Sequence, residues 1–277
     1  MDPFSYSPVM LPLLINAIVL LITLLYGCRE DIRERAVPVV MWYPAAVTGI
    51  LMLAWFWHSV IVSGDLPYLM PLIPLIIFFV IAFYLFTRFH LMGMADTKAL
   101  ILITVLVPCF PFVPLAGYPL FGYPPYVFLP FSVLFNAVVL NLLLPVAFFF
   151  INVIKGNKAP LPYLFLGYPV NGRTIADEFG IVMENFEETE EGLFRSFIPV
   201  RTAIRDMLAG GDRIYTKSLK ENPEKYRKEL ELYKKAGTVW ISYGVPFLIP
   251  ITAGFLTAIV LGDLLVILSG LVMAVLT

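Results

Sequence analysis

Residues 9–38 read VMLPLLINAIVLLITLLYGCREDIRERAVP, twenty positions without a charge and then three arginines and three acids between positions 29 and 35. A helix crossing a hydrocarbon layer of about 30 Å needs about 20 apolar residues. The stretch therefore predicts a transmembrane helix that ends at a charged membrane face. Comparable runs follow near 38–62, 67–87, 99–115, 126–154 and 239–261. The expected class is membrane α-helical, with about six transmembrane helices and a small cytoplasmic α+β insert before the last span. The start, MDPFSYSPVM, has no basic segment and no small-residue cleavage site, so the first run is expected to be retained as a span rather than removed as a signal peptide.

Composition agrees with that class. The 277 residues are 60% hydrophobic and 14% charged, with a mean hydropathy of +0.86, whereas a soluble domain carries about a quarter charged residues. The expected solvent is a lipid bilayer. A net charge of −1 offers no bulk attraction for nucleic acid, and no nucleic-acid partner is expected. Cys28 and Cys109 stand alone, without the paired spacing of a disulfide framework or a zinc site. They read as small buried hydrophobes, and neither metal nor cofactor is expected.

Charge placement orients the chain. With the N-terminus outside, all 19 Lys and Arg fall on one side: Arg29, Arg33 and Arg35 after the first span, Arg88 and Lys98 between the third and fourth, the others from Lys155 to Lys235. The opposite loops, 1–8, 63–66 and 116–125, contain none. Such asymmetry in short loops marks the basic side as cytoplasmic. Three regions result: a five-span membrane domain over 1–154, a cytoplasmic insert over 155–238, and a final transmembrane helix with an apolar C-terminus over 239–277. Within the insert, two strands are expected around 179–184 and 193–198, flanking the acidic EETEEG, and a solvated helix over 221–236. Residues 264–277, LLVILSGLVMAVLT, are short for an independent span and are read either as an extension of the last helix or as an interfacial piece.

Two aspartates stand out. Asp31 follows the first span and Asp96 precedes the fourth, at one membrane face. Each alone also reads as a solvated charge paired with a neighbouring Arg or Lys; their coincidence at one depth favours function, because carboxylates at a bilayer edge are expensive. Two carboxylates in hydrogen-bonding reach titrate as a unit with their pKa values pushed apart. One then serves as a base toward water while the protonated partner polarises a carbonyl. That is aspartic peptidase chemistry, with Asp31 and Asp96 as catalytic candidates. Gly93 allows close backbone approach beside Asp96, Ala95 is small enough to keep a peptide path open, and Glu30 carries a negative charge next to Asp31; these three are the candidate substrate-binding residues.

The two motifs resemble those of the GxGD-type aspartic peptidases that process type IV prepilins and archaeal preflagellins. The similar elements are Asp31-Ile32-Arg33-Glu34-Arg35-Ala36-Val37-Pro38 after the first span and Gly93-Met94-Ala95-Asp96-Thr97-Lys98 at the start of a later one. The closing VWISYGVPFLIPITAGF and GDLL resemble the archaeal branch, so the likeness covers nearly the whole chain. Ala95 stands where the motif name has Gly. Paired CxxC elements are absent from the N-terminal part, which argues against the methyltransferase activity of the bacterial bifunctional enzymes. The resemblance implies removal of a signal sequence with a basic n-region and an apolar helix, at the cytoplasmic face, from preflagellin or prepilin-like preproteins. Glu184, Glu187, Glu188, Glu190 and Glu191 suit attraction of the substrate's basic residues, although such a cluster also reads as a solvated turn.

Two other classes compete. A polytopic transporter would use Asp31 and Asp96 as a proton or ion site, but both lie at one face and no inverted repeat is evident. A thiol hydrolase would pair Cys28 with His90, on location alone. His58, toward the outer side, suits neither scheme.

Overall fold

The computed structural model describes residue 4 and residues 7–89, 91–119, 124–190, 192–209, 213–243 and 246–276. In chain order its helices and strands are α1 (Leu11–Glu34), α2 (Trp42–Ser63), α3 (Leu66–Leu69), α4 (Leu72–Arg88), α5 (Met94–Leu106), α6 (Leu129–Ile154), α7 (Leu161–Leu166), β1 (Gly167–Asn171), β2 (Gly180–Val182), β3 (Glu184–Thr189), β4 (Gly192–Phe197), α8 (Val200–Ala209), α9 (Thr216–Glu221), α10 (Arg227–Ala236), β5 (Thr238–Tyr243), α11 (Leu248–Val260) and α12 (Leu264–Leu276). They form two compact units, residues 1–141 with 246–277, and residues 142–245.

In the first unit α1 buries Leu13, Asn16, Ala17, Leu20, Thr23, Leu24 and Gly27, the three-and-four spacing of one helical face. Its opposite side leaves Ile18, Ile22 and Leu25 more than half exposed, an apolar surface that suits lipid rather than water. Its 24 residues rise about 36 Å, so the charged last turn is left over beyond a hydrocarbon layer. α2 packs along α1 and meets α5 at Gly49, where an added Cβ would lie 2.5 Å from Leu106 Cδ1.

Among the described residues four helical stretches are long and apolar enough to cross a membrane: Pro8–Glu34, Val39–Ser63, Leu66–Arg88 and Leu129–Ile154. A fifth exists if α11 and α12 count as one span bent by 68°. The protein is thus a mostly helical membrane protein with four to five candidate spans and a small β region, where about six spans were expected. Two of the expected runs shorten for local reasons. In 99–115 the helix stops at Leu106, because Pro108 disfavours helical backbone at Val107, and the side-chain amide of Asn16 donates to the Leu106 carbonyl at 2.9 Å. At the start of 239–261 the segment TVWISY, residues 238–243, is rich in β-branched and aromatic side chains and extends as β5. The 13 residues left to each of α5 and α11 rise about 20 Å, less than the hydrocarbon thickness.

The break between α11 and α12 is tied to α6. Gly262 adopts φ +104°, open chiefly to glycine. Asn136 donates to the Gly262 carbonyl at 2.9 Å and accepts from the Leu264 amide at 2.9 Å. Buried Asp263 accepts from the Ser132 hydroxyl at 3.1 Å and from the Leu265 amide at 2.8 Å. Residues 264–276 are therefore helical but turned away from α11.

In the second unit β5 lies between β1 and β2, antiparallel to both, and β3 with β4 forms a hairpin. Val170, Ile175, Val182, Leu219, Tyr233, Val239 and Ile241 make its core. The acidic turn expected at EETEEG is mostly strand: Glu187 and Glu188 belong to β3, and Glu191 lies outside the described residues. The helix expected over 221–236 is split, α9 ending at Glu221 and α10 beginning at Arg227, with Pro223 in the interval.

Candidate active site

Three helices of the first unit, α1, α5 and α11, pack against one another, and their ends supply the site. On α1, Gly27 is closely covered: an added Cβ would lie 2.7 Å from Met41 Cε and 3.0 Å from Leu248 Cδ2, so those side-chain ends would have to shift. One residue on, Cys28 Sγ is 3.1 Å from Thr252 Oγ1 and 3.5 Å from the Leu248 carbonyl. These contacts pin the last turns of α1 against the start of α11, and Asp31 follows one turn later.

Asp96 sits in the first turn of α5, where helix N-termini favour negative charge. Gly93 caps that helix in extended conformation, φ −66° and ψ 151°, its carbonyl accepting from the Thr97 amide at 3.0 Å. A Cβ at Gly93 would lie 2.8 Å from Asp96 Oδ2, so glycine leaves the carboxylate its place. The backbone amides of Gly93 and of Leu248, the first residue of α11, act on the Asp96 carboxylate and favour its ionised form. The Thr97 and Thr87 hydroxyls hydrogen-bond, tying this turn to the end of α4.

Asp96 is 9% exposed. Burial, reinforced by the charge of Asp31, outweighs the two amides and pushes its pKa up to about 7. The fold thus brings Asp31 and Asp96, 65 positions apart, within electrostatic reach. Such a coupled pair holds a proton on one member while the other is ionised, the arrangement suited to activating water beside a polarised carbonyl.

The remaining candidates divide. Ala95 packs against the core of this unit, and Glu30 is half-buried beside Asp31. Glu184 corrects the acidic-cluster expectation: it is buried, paired with Arg195 at 2.7 Å, and accepts from the Trp240 amide at 2.8 Å. Its charge is spent inside the second unit. Glu188 is paired with Lys235 at 2.6 Å, while Glu187 and Glu190 are exposed. His90 lies outside the described residues, so the Cys28–His90 pairing has no geometry here. Sequence reasoning missed α11 as part of the site. Pro246 ahead of an apolar run was a usable helix-start signal, but it gave no hint that the Leu248 amide would meet Asp96.

Residues 18–146 match the type IV leader peptidase family, and residues 159–264 match the C-terminal type II region of archaeal peptidase A24. Both matches are to peptidase A24 models, and together they span 235 of the 277 residues, 129 and 106. The first match contains both Asp31 and Asp96; the second contains Leu248 and Thr252. The chain is also similar to the preflagellin peptidase of Methanococcus voltae, 25% identical over 246 residues, covering 88% of the chain and 93% of that relative. Likeness to peptidases along nearly the whole chain disfavours the transporter reading.

Proposed function

We propose that the chain is an aspartic endopeptidase that removes the signal peptide from preflagellin or prepilin-like preproteins at the cytoplasmic membrane face, with Asp31 and Asp96 as its catalytic pair. The observation that carries this is the convergence of the two carboxylates at the adjoining ends of α1 and α5, one of them holding its proton to about pH 7. The ionised carboxylate takes a proton from water, and the resulting hydroxide attacks the scissile carbonyl while the protonated carboxyl hydrogen-bonds its oxygen. On collapse the C–N bond breaks, the proton taken from water passes to the leaving amine, and the resting pair is restored. Gly93 and Ala95 leave space for the peptide, and Glu30 attracts the basic n-region. The one-sided Lys and Arg support a cytoplasmic site and an outside N-terminus. The division into 1–154, 155–238 and 239–277 belongs to the same reading.

Asp31→Asn and Asp96→Asn, each close in size and unable to ionise, should each abolish cleavage of a co-expressed preflagellin, scored by mobility shift, while the protein still inserts. Substantial processing by either variant would overturn the pair.

A further inference from the structure

Three arginines follow the first span, and the fold treats them differently. Arg29 and Arg33 are exposed. Arg35 is drawn in, its Nε shielded from solvent. Its backbone closes α1 in the left-handed region, φ 50° and ψ 29°, and its amide donates to the carbonyl of Asp31 at 3.1 Å. A non-glycine residue in that conformation persists only where its surroundings over-determine it. Glycine would end the helix with less strain. Burial pushes the Asp31 carboxyl above its ordinary value, and what the arginine adds is a guanidinium whose charge works the other way, favouring the ionised carboxylate.

We propose that Arg35 is a positioning residue that keeps Asp31 the ionised member of the pair, making Asp31 the base and Asp96 the proton donor to the carbonyl; this rests on the reading of Asp31 and Asp96 as the catalytic pair. The two environments are unequal in the required sense. Asp96 is nearly enclosed, whereas Asp31 is half-buried and has a cation four residues along. On α1 itself Cys28 precedes Asp31 by one turn, Arg29, Glu30, Arg33 and Glu34 flank it in sequence, and Arg35 follows; Asp96 approaches from α5, which also carries Lys98. α11 brings the Leu248 amide to Asp96 and the Thr252 hydroxyl to Cys28, neither of them charged. α2 carries only Tyr43 and, near its far end, His58 as titratable side chains. When the pair acts, the proton taken from water rests on Asp31 until it passes to the leaving amine, and Arg35 itself exchanges none.

The test is the pH dependence of cleavage of a synthetic signal peptide, with basic n-region and apolar helix, by the full-length detergent-solubilised protein. Arg35→Gly keeps the left-handed helix end and removes the charge; Arg35→Lys restores a charge. The acid limb of the rate profile should move up by about one pH unit in Arg35→Gly and return toward wild type in Arg35→Lys, with KM little changed. A wild-type acid limb in Arg35→Gly, or a rate lowered equally at every pH in both variants, overturns the role of Arg35. Asp31→Asn separates the two levels: if it still cleaves, the catalytic pair itself is wrong and this inference falls with it. If it is inactive and the Arg35→Gly limb is unmoved, only the inference falls.

Discussion

Asp96 shows how a buried carboxyl weakens the fold that holds it. In the unfolded chain it ionises near pH 4, while in the folded protein it keeps its proton to about pH 7. Folding therefore becomes less favourable as pH rises from 4 to 7, because ionisation favours the unfolded chain. The penalty is absent below pH 4 and complete above 7, where it reaches the order of 4 kcal/mol. Asp96→Asn fills the same space with a group that cannot ionise. Thermal unfolding in detergent should show this variant more stable than wild type at pH 8, with the advantage shrinking as pH falls to 5 and vanishing below 4. A pH-independent difference would contradict the burial-driven shift.

At the level of elements, the helix ends matter more than the helix bodies. α5 begins at Gly93 and Asp96 and stops where Asn16 meets the Leu106 carbonyl. α11 begins with the amide turned to Asp96 and stops at Gly262. Both are too short to be free-standing spans and depend on polar side chains of neighbouring helices to satisfy backbone groups that lipid cannot. Asp263 does this at the α11–α12 break, accepting from Ser132 and Leu265. Asp263→Ala should destabilise the protein by about 1–3 kcal/mol, read as a fall in the unfolding midpoint. Asp263→Asn, whose oxygen still accepts from the Leu265 amide and whose NH2 can donate to the Ser132 hydroxyl, should stay near wild type.

For the whole molecule, the open experimental question is which face each loop occupies. Tyr68 is exposed just past the outer end expected for α2, and Glu190 is exposed in the β3–β4 turn. In a background lacking Cys28 and Cys109, Tyr68→Cys should react in intact cells with a membrane-impermeant thiol reagent, and Glu190→Cys should react only after lysis. The reverse pattern would place the basic loops outside and remove the basis for a cytoplasmic site.

Much of this molecule follows from local chemistry that the sequence alone displays. An uncharged run the length of a bilayer, ended by arginines, specifies a membrane helix and its charged end wherever it packs. Asp31 and Asp96 were legible for the same reason: each lies at the border of such a run, and a carboxylate there is conspicuous without any knowledge of its partner. Tertiary structure decided what depends on residues distant in the chain. It brought Asp31 and Asp96 together, set the Leu248 amide against Asp96, buried Glu184 on Arg195 and Trp240, and drew in Arg35 while leaving Arg29 and Arg33 exposed. It also turned the start of the 239–261 run into the central strand of a sheet. Periodicity alone does not separate a span from a buried strand; the β-branched and aromatic residues of TVWISY favour extension, and pairing with β1 and β2 fixes it.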